Sequence, residues 1–333
     1  MTLTERLRDW TPGVLTACGV AGAAWLAGRG QTAAFGRAWL EPVVAAILLG
    51  IVARNLFQLP AAWKPGIVFS AKRPLEVAIA LLGVAVDPAA LRAAGAWLIA
   101  GPAVIVILAL AASYGLSRLV GLNRRQSTLV ACGNSICGNS AIAAAAPVVD
   151  ATHDEAASAI AFTAVLGVIA VLVLPLIRTT LGLTPVAYGA LAGLTVYAVP
   201  QVLAATAPVG GAAVQVGAMV KLARVMMLGP VLAAVSVGRG GTARGFGQVI
   251  PWYILVFIGA AALRMLGLVP GWASAPLGTA CDLLTLVAMA ALGLCTDLRA
   301  AKAAGVRMAM AASVSLLALA GMSLCLLRLL KLA

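Results

Sequence analysis

The sequence predicts an all-α polytopic membrane protein of about 11 transmembrane helices, with inverted-repeat elements and one or two broken, crossing helices. Three observations predict it. Hydrophobic residues fill 63% of the 333 positions and charged residues only 10%, more apolar side chain than a soluble protein of this size can hide. The apolar residues form runs separated by charges and Pro/Gly breaks, many of them near the ~20 residues that a bilayer span needs. Two of those runs carry polar or charged interruptions that a plain helix bundle does not require.

In chain order the runs lie near 13–28, 41–57, 66–86, 95–117, 126–149, 155–177, 185–206, 211–237, 248–267, 276–294 and 305–327. The first is short, and the third carries Lys72 and Arg73 in its first turns. No room remains for a soluble domain, so one integral membrane domain over 1–333 is expected, with repeat elements at 74–177 and 185–327. The first twelve residues, MTLTERLRDWTP, are mixed in charge, so no cleavable signal peptide is expected.

The net charge is +13. In a soluble chain this would suggest nucleic acid. Here the basic residues are dispersed between apolar runs, which is the pattern of topogenic charge, and no nucleic-acid partner is expected. Placing the N-terminus and every even-numbered loop on one side collects 15 of the 23 lysines and arginines there and 6 on the other, with Lys221 and Arg224 inside a run. The bias predicts a multi-pass protein of the bacterial inner membrane, N-terminus in the cytoplasm and C-terminus outside, with the DATHDE loop at 150–155 outside as well. Cys18, Cys132, Cys137, Cys281, Cys295 and Cys325 make no CxxC, and there is one histidine, so buried thiols and no metal site are expected. No P-loop, GxSxG or HExxH is present, so an ATP-driven pump or membrane protease has no support, and no enzyme activity is expected.

An internal repeat relates LLGVAVDPAALRAAG at 81–95 to ALGLCTDLRAAKAAG at 291–305. At a fixed offset of 210, Leu82, Gly83, Asp87 and Gly95 meet Leu292, Gly293, Asp297 and Gly305, and Arg92 faces Lys302. The two copies end spans that run in opposite directions, the inverted relation that underlies alternating access in secondary transporters.

ACGNSICGNSAIAAAA at 131–146 repeats GNS twice within eight residues. Glycine costs about 1 kcal/mol per helical site relative to alanine, and Asn is also a poor helix former, so a mid-bilayer break between Gly133 and Asn139 is expected. Broken backbone is tolerated there only inside protein or along an aqueous cavity. A helix resuming near Asn139 offers free N–H groups, and Asn134, Ser135, Gly138, Asn139 and Ser140 complete a site for a small anion. Lys221 and Arg224 share a helix face in QVGAMVKLARVMMLGP, where a membrane-embedded cation faces a cavity or a partner. They read as anion contacts, with Lys221 alternatively a proton-linked switch. Pro200 in TVYAVPQV suggests a second broken helix, with Gln201 as an uncharged hydrogen-bonding group facing the GNS element. Asp282 lies inside a span and is a coupling candidate. Glu76 near Lys72 and Arg73 reads as a local ion pair, and His153-Asp154-Glu155 as a solvated loop.

At GNSICGNSAIAAAAPVV the chain resembles the sulfate exporter family, bacterial inner-membrane proteins described as conserved and hypothetical. KPGIVFSAKRPLEVAIALLGVAVD and VKLARVMMLGPVL resemble that family in order and spacing, over most of residues 40–305. The resemblance implies ten or eleven helices, broken helices crossing at mid-membrane, and a distant likeness to bile-acid/sodium symporters and Na+/H+ antiporters.

The expected function is a secondary transporter, acting outward, of a small anion such as sulfate or an organic sulfonate. The alternative is a Na+- or H+-coupled symporter of a small organic acid. No cofactor is expected beyond a coupling ion, H+ or Na+. The expected partners are the small anion and the lipid bilayer, with a homodimer allowed.

Overall fold

The computed structural model describes residues 3–35, 41–57, 59–85, 97–237, 252–266, 268, 270–303, 305–330 and 332. Among them every regular element is a helix. They run α1 (Leu3–Phe35), α2 (Pro42–Leu56), α3 (Lys64–Leu82), α4 (Trp97–Leu119), α5 (Arg124–Ser135), α6 (Asn139–Ala145) and α7 (His153–Leu181). The chain continues with α8 (Pro185–Thr195), α9 (Val199–Thr206), α10 (Gly211–Met226), α11 (Leu228–Val237), α12 (Trp252–Met265), α13 (Gly271–Cys295), α14 (Leu298–Ala303) and α15 (Val306–Leu329). Within the described residues six helical stretches are long and apolar enough to cross a membrane, the apolar spans starting at Trp10, Ala100, Asp154, Gly211, Pro276 and Val306. The chain is therefore a helical, multi-pass membrane protein.

Contacts divide the chain into two compact units, Met1–Pro88 with Trp252–Asp297, and Ala89–Pro251 with Leu298–Ala333. The first unit packs α1, α2, α3, α12 and α13 through small residues. A Cβ added to Gly50 on α2 would lie 2.9 Å from the Cα of Gly293 on α13, and one added to Gly66 on α3 would lie 2.9 Å from the Cα of Gly13 on α1. Lipid gives apolar helices no hydrophobic reason to associate, so close backbone approach at small residues is what joins them. α3 and α13 are antiparallel, because Cys281 Sγ lies on the Ala78 carbonyl while Ala291 packs near Ile67. The helix ends that carry the first residues of each repeat copy thus run in opposite directions; residues 86–95 of the first copy, Asp87 and Arg92 among them, lie outside the described residues. Asp297 pairs with Arg54 at 3.2 Å, and Glu76 with Arg73 at 2.8 Å, the local pair that the sequence suggests. Trp252 Nε1 also donates to Glu76 at 3.2 Å.

The second unit differs from the expected succession of full spans. Asn123 caps α5 and Thr152 caps α7, each in a reciprocal capping box, with Gln126 and Glu155 respectively. Asn123 Nδ2 donates to Glu155 Oε1 at 2.7 Å, which puts the starts of α5 and α7 on one face. α5 is about 18 Å long at 1.5 Å per residue, so the chain must return over that distance between Ser135 and Thr152. A Cβ on Gly133 would lie 2.8 Å from Ile142, nine residues on, where a continuous helix would separate the two by about 13 Å. The run at 126–149 is accordingly a re-entrant hairpin, not a crossing.

The run at 185–206 behaves the same way from the opposite end of α7. That helix has 29 residues, about 43 Å, enough to cross a bilayer. Gly182 ends it at φ 63°, and Thr184 with Pro185 starts α8 immediately afterwards. The Tyr188 hydroxyl donates to the Ala205 carbonyl, so α9 folds back along α8. α10 then runs parallel to α8, with Gly189 against Ala213 and Gly193 against Gly217. Two hairpins therefore enter the second unit from opposite faces. Their leading helices, about 18 and 16 Å long, together match the ~30 Å hydrocarbon thickness, so their tips meet near its middle.

Candidate functional site

Each tip is a break of three residues. In the first, Ile136 has φ −116° and ψ −86°, and Gly138 has φ 68° and ψ −120°, a conformation that glycine adopts without a Cβ penalty. The doubled GNS thus breaks the helix where the sequence places it. In the second, Val196 and Ala198 are extended, with ψ 141° and 145°. Pro200 lies in the first turn of α9 and starts that helix, so the break falls before the proline instead of at it. The tips touch. A Cβ on Gly138 would lie 2.9 Å from the Tyr197 Cβ, and the Tyr197 hydroxyl donates to Asn134 Oδ1 at 3.1 Å.

Lys221 and Arg224 project from α10 into this junction, and both side chains are fully buried. Lys221 Nζ donates to the Ile136 carbonyl at 2.5 Å. Arg224 Nε donates to Ser135 O at 3.0 Å, Nη2 to Asn134 O at 2.8 Å, and Nη1 to Gly193 O at 3.1 Å and also to Leu194 O. These carbonyls are the orphan acceptors at the C-terminal ends of α5 and α8, where the helix dipole is negative. Arg224 therefore braces both hairpins with one planar fork, a geometry that lysine cannot supply.

The remaining expected site residues separate into two groups. Asn134 and Ser135 are buried with internal partners. Asn134 Nδ2 donates to Ser113 Oγ at 2.7 Å and to Ser315 O at 3.0 Å, and Ser135 Oγ donates back to Ala131 O at 2.7 Å. Asn139 is half-buried and accepts from Thr163 Oγ1 at 2.7 Å. Ser140 is exposed, with Cys137 Sγ at 3.1 Å from its hydroxyl. Gln201 Oε1 accepts from the Ala198 N–H at 3.2 Å and its amide packs on Gly167. The structure thus brings Asn134, Ser135, Gly138, Asn139, Ser140, Gln201, Lys221 and Arg224 to one junction. Asp282 belongs to the first unit, where Glu41 is within its electrostatic reach.

Sequence reasoning missed Tyr197, Thr163, Ser113 and Ser315. Tyr197 carried a signal, a hydroxyl-bearing aromatic three residues before Pro200 in an apolar run. The three hydroxyls lie on apolar helices and become visible only once Asn134 and Asn139 have positions. Ser315 Oγ is buried with no hydrogen-bond partner.

A family model described as conserved hypothetical protein 698 matches residues 12–312. The chain belongs to that family. Its relatives include a UPF0324 membrane protein of Agrobacterium fabrum, 50% identical and covering 94% of this chain and 91% of the relative. One of Bradyrhizobium diazoefficiens is 47% identical over 98% and 94%, and one of Bacillus cereus is 34% identical over 76% of each. No solved structure matches the chain. Members of the conserved hypothetical protein 698 family are thus bacterial membrane proteins by name, across rhizobia and bacilli.

Proposed function

We propose that the protein is a secondary transporter, acting outward by alternating access, of a small anion such as sulfate or an organic sulfonate. Its site is the junction of the two hairpin tips, as the resemblance to the sulfate exporter family also suggests. One observation carries this reading, the charge balance of the junction. Two helix C-termini of about −0.5 charge each and two N-termini of about +0.5 each cancel. The Lys221 and Arg224 side chains then leave a surplus of about two positive charges, with the carboxylates of the second unit, Asp150, Asp154 and Glu155, at the mouth of the first hairpin.

A unit charge 8 Å away is worth about 2 kcal/mol at an effective dielectric near 20, roughly 30-fold in affinity, so the surplus favours an anion and disfavours a free cation. Asn139, Ser140 and Gln201 supply the polar contacts beside it. The orientation follows from charge in the same unit. Arg118, Arg124, Arg125, Arg299, Lys302 and Arg307 share the face of Asn123 and Glu155, while Arg178 and Arg328 lie at the other. The positive-inside rule assigns the richer face to the cytoplasm.

The reading is tested with purified protein and with proteoliposomes, using sulfate, methanesulfonate and isethionate at fixed ionic strength. Binding raises the unfolding midpoint by mass action, and at least one probe moves across the membrane. A panel that neither binds nor moves refutes it.

A further inference from the structure

We infer that Lys221 is a built-in cation standing where a transporter of this architecture would bind a coupling Na+, so that anion movement through this protein is independent of Na+. The inference rests on the transporter reading for its consequence in transport, but not for the property of the cation site itself.

The argument begins with carbonyl oxygens. A helix broken in mid-membrane leaves its last carbonyls without intrahelical partners. In water-free surroundings each must be satisfied, and in discontinuous transporter helices the unwound carbonyls and half-helix C-terminal ends are what hold Na+. Here two such ends converge, from α5 and α8, with about one negative charge between them. They present the carbonyls of Asn134, Ser135, Ile136, Gly193 and Leu194. All five accept from the side chains of one helix, α10: Ile136 from Lys221 and the rest from Arg224.

Lys221 and Arg224 divide the work. Arg224 links the two hairpins through four carbonyls and cannot be exchanged for a spherical ion. Lys221 meets one carbonyl, that of Ile136 inside the first break, and an ammonium there is a compact point charge. It sits fully buried at the end of a four-carbon stem. Shortening that stem leaves a cation-sized gap beside the Ile136 carbonyl at the C-terminal end of α5, and removes one of the two positive side-chain charges of the junction. A Na+ in that gap would restore the charge that the ammonium carried, beside the carbonyl that the ammonium met.

The test uses the full chain in lipid nanodiscs and proteoliposomes, comparing the unsubstituted protein, Lys221→Ala and Lys221→Arg in NaCl and in choline chloride. The unsubstituted protein and Lys221→Arg are expected to have the same unfolding midpoint in both salts. Lys221→Ala is expected to gain about 2 °C in NaCl at ten times the Na+ dissociation constant. In proteoliposomes, methanesulfonate flux in the unsubstituted protein should not change when choline replaces Na+, and flux lost in Lys221→Ala should return in part with Na+. A folded Lys221→Ala indifferent to Na+ overturns the inference, as does a Lys221→Ala that cannot be recovered folded in either salt. So does a Na+ requirement in the unsubstituted protein. If no probe anion moves under any condition, the transport reading fails, while the Na+ response of the Lys221→Ala midpoint still decides the cation site.

Discussion

Replacing Gly138 with alanine attacks the contact on which the whole junction depends. Two costs follow from the structure. At φ 68° and ψ −120° an L-residue is strained, by about 1–3 kcal/mol. The new methyl also lies 2.9 Å from the Tyr197 Cβ, against the buried side chain of the second tip, and overpacking of that kind costs about 1–3 kcal/mol. The total of about 2–6 kcal/mol should lower the unfolding midpoint by at least about 3 °C. Two comparisons isolate the tip contact. Gly182→Ala, at φ 63° with open space around it, carries strain alone, about 1–2 kcal/mol. Gly138→Ala combined with Tyr197→Gly removes the clash but keeps the strain, so it should regain part of the clash component relative to a Tyr197→Gly background. The assay is thermal unfolding of purified protein in one detergent, with anion binding measured on each folded variant. If Gly138→Ala unfolds within about 1 °C of the unsubstituted protein, the tips do not touch as described and the site built on them falls.

Three further outcomes follow from the same geometry. Single cysteines at positions 125 and 154 should be labelled from one side of the membrane and one at 208 from the other, because Asn123 and Glu155 are bonded while α9 returns to the far end of α7; labelling of 125 and 154 from opposite sides would restore the run at 126–149 as a crossing. Arg224→Lys keeps the charge but, with three donors for the four carbonyls of Asn134, Ser135, Gly193 and Leu194, strands at least one of them at about 1–3 kcal/mol, so its midpoint should fall by at least about 1.5 °C while Lys221→Arg falls less. Asp282→Asn should leave the affinity for methanesulfonate within twofold by calorimetry, because the proposed anion site draws its charge surplus from Lys221 and Arg224; a tenfold change would make Asp282 part of the binding equilibrium.

How much of this was legible in the sequence depends on which interactions write a local signature. The break at Ile136–Gly138 was legible because glycine and asparagine resist helix locally, whatever surrounds them. The cations at 221 and 224 were legible because charge in an apolar run is conspicuous, yet their targets were not. A carbonyl oxygen belongs to every residue, so nothing in the letters marks Ile136 or Gly193 as an acceptor for a side chain about 30 or 85 positions away. The hairpins were hidden for a related reason. A run of about 22 apolar residues has the composition of a span whether it crosses or returns, and length alone reads it as crossing.

What distinguishes the two cases is tertiary. At one end it is a single bond between Asn123 and Glu155, whose own sequence signals, a capping residue and an acidic first turn, only mark two helix starts. Because both hidden hairpins return to the face that they leave, the two errors cancel in parity. The expected sides of the two termini are therefore unaffected by this pair of misreadings, while the DATHDE loop joins the face of Arg118, Arg124 and Arg125 and the stretch around Arg178 takes the opposite face of the second unit. An expectation for the termini drawn from charge bias depends only on the sum of crossings, and it is blind to a pair of re-entrant elements. A span count drawn from hydropathy in this family is safest when checked against one contact between the two ends of each broken run.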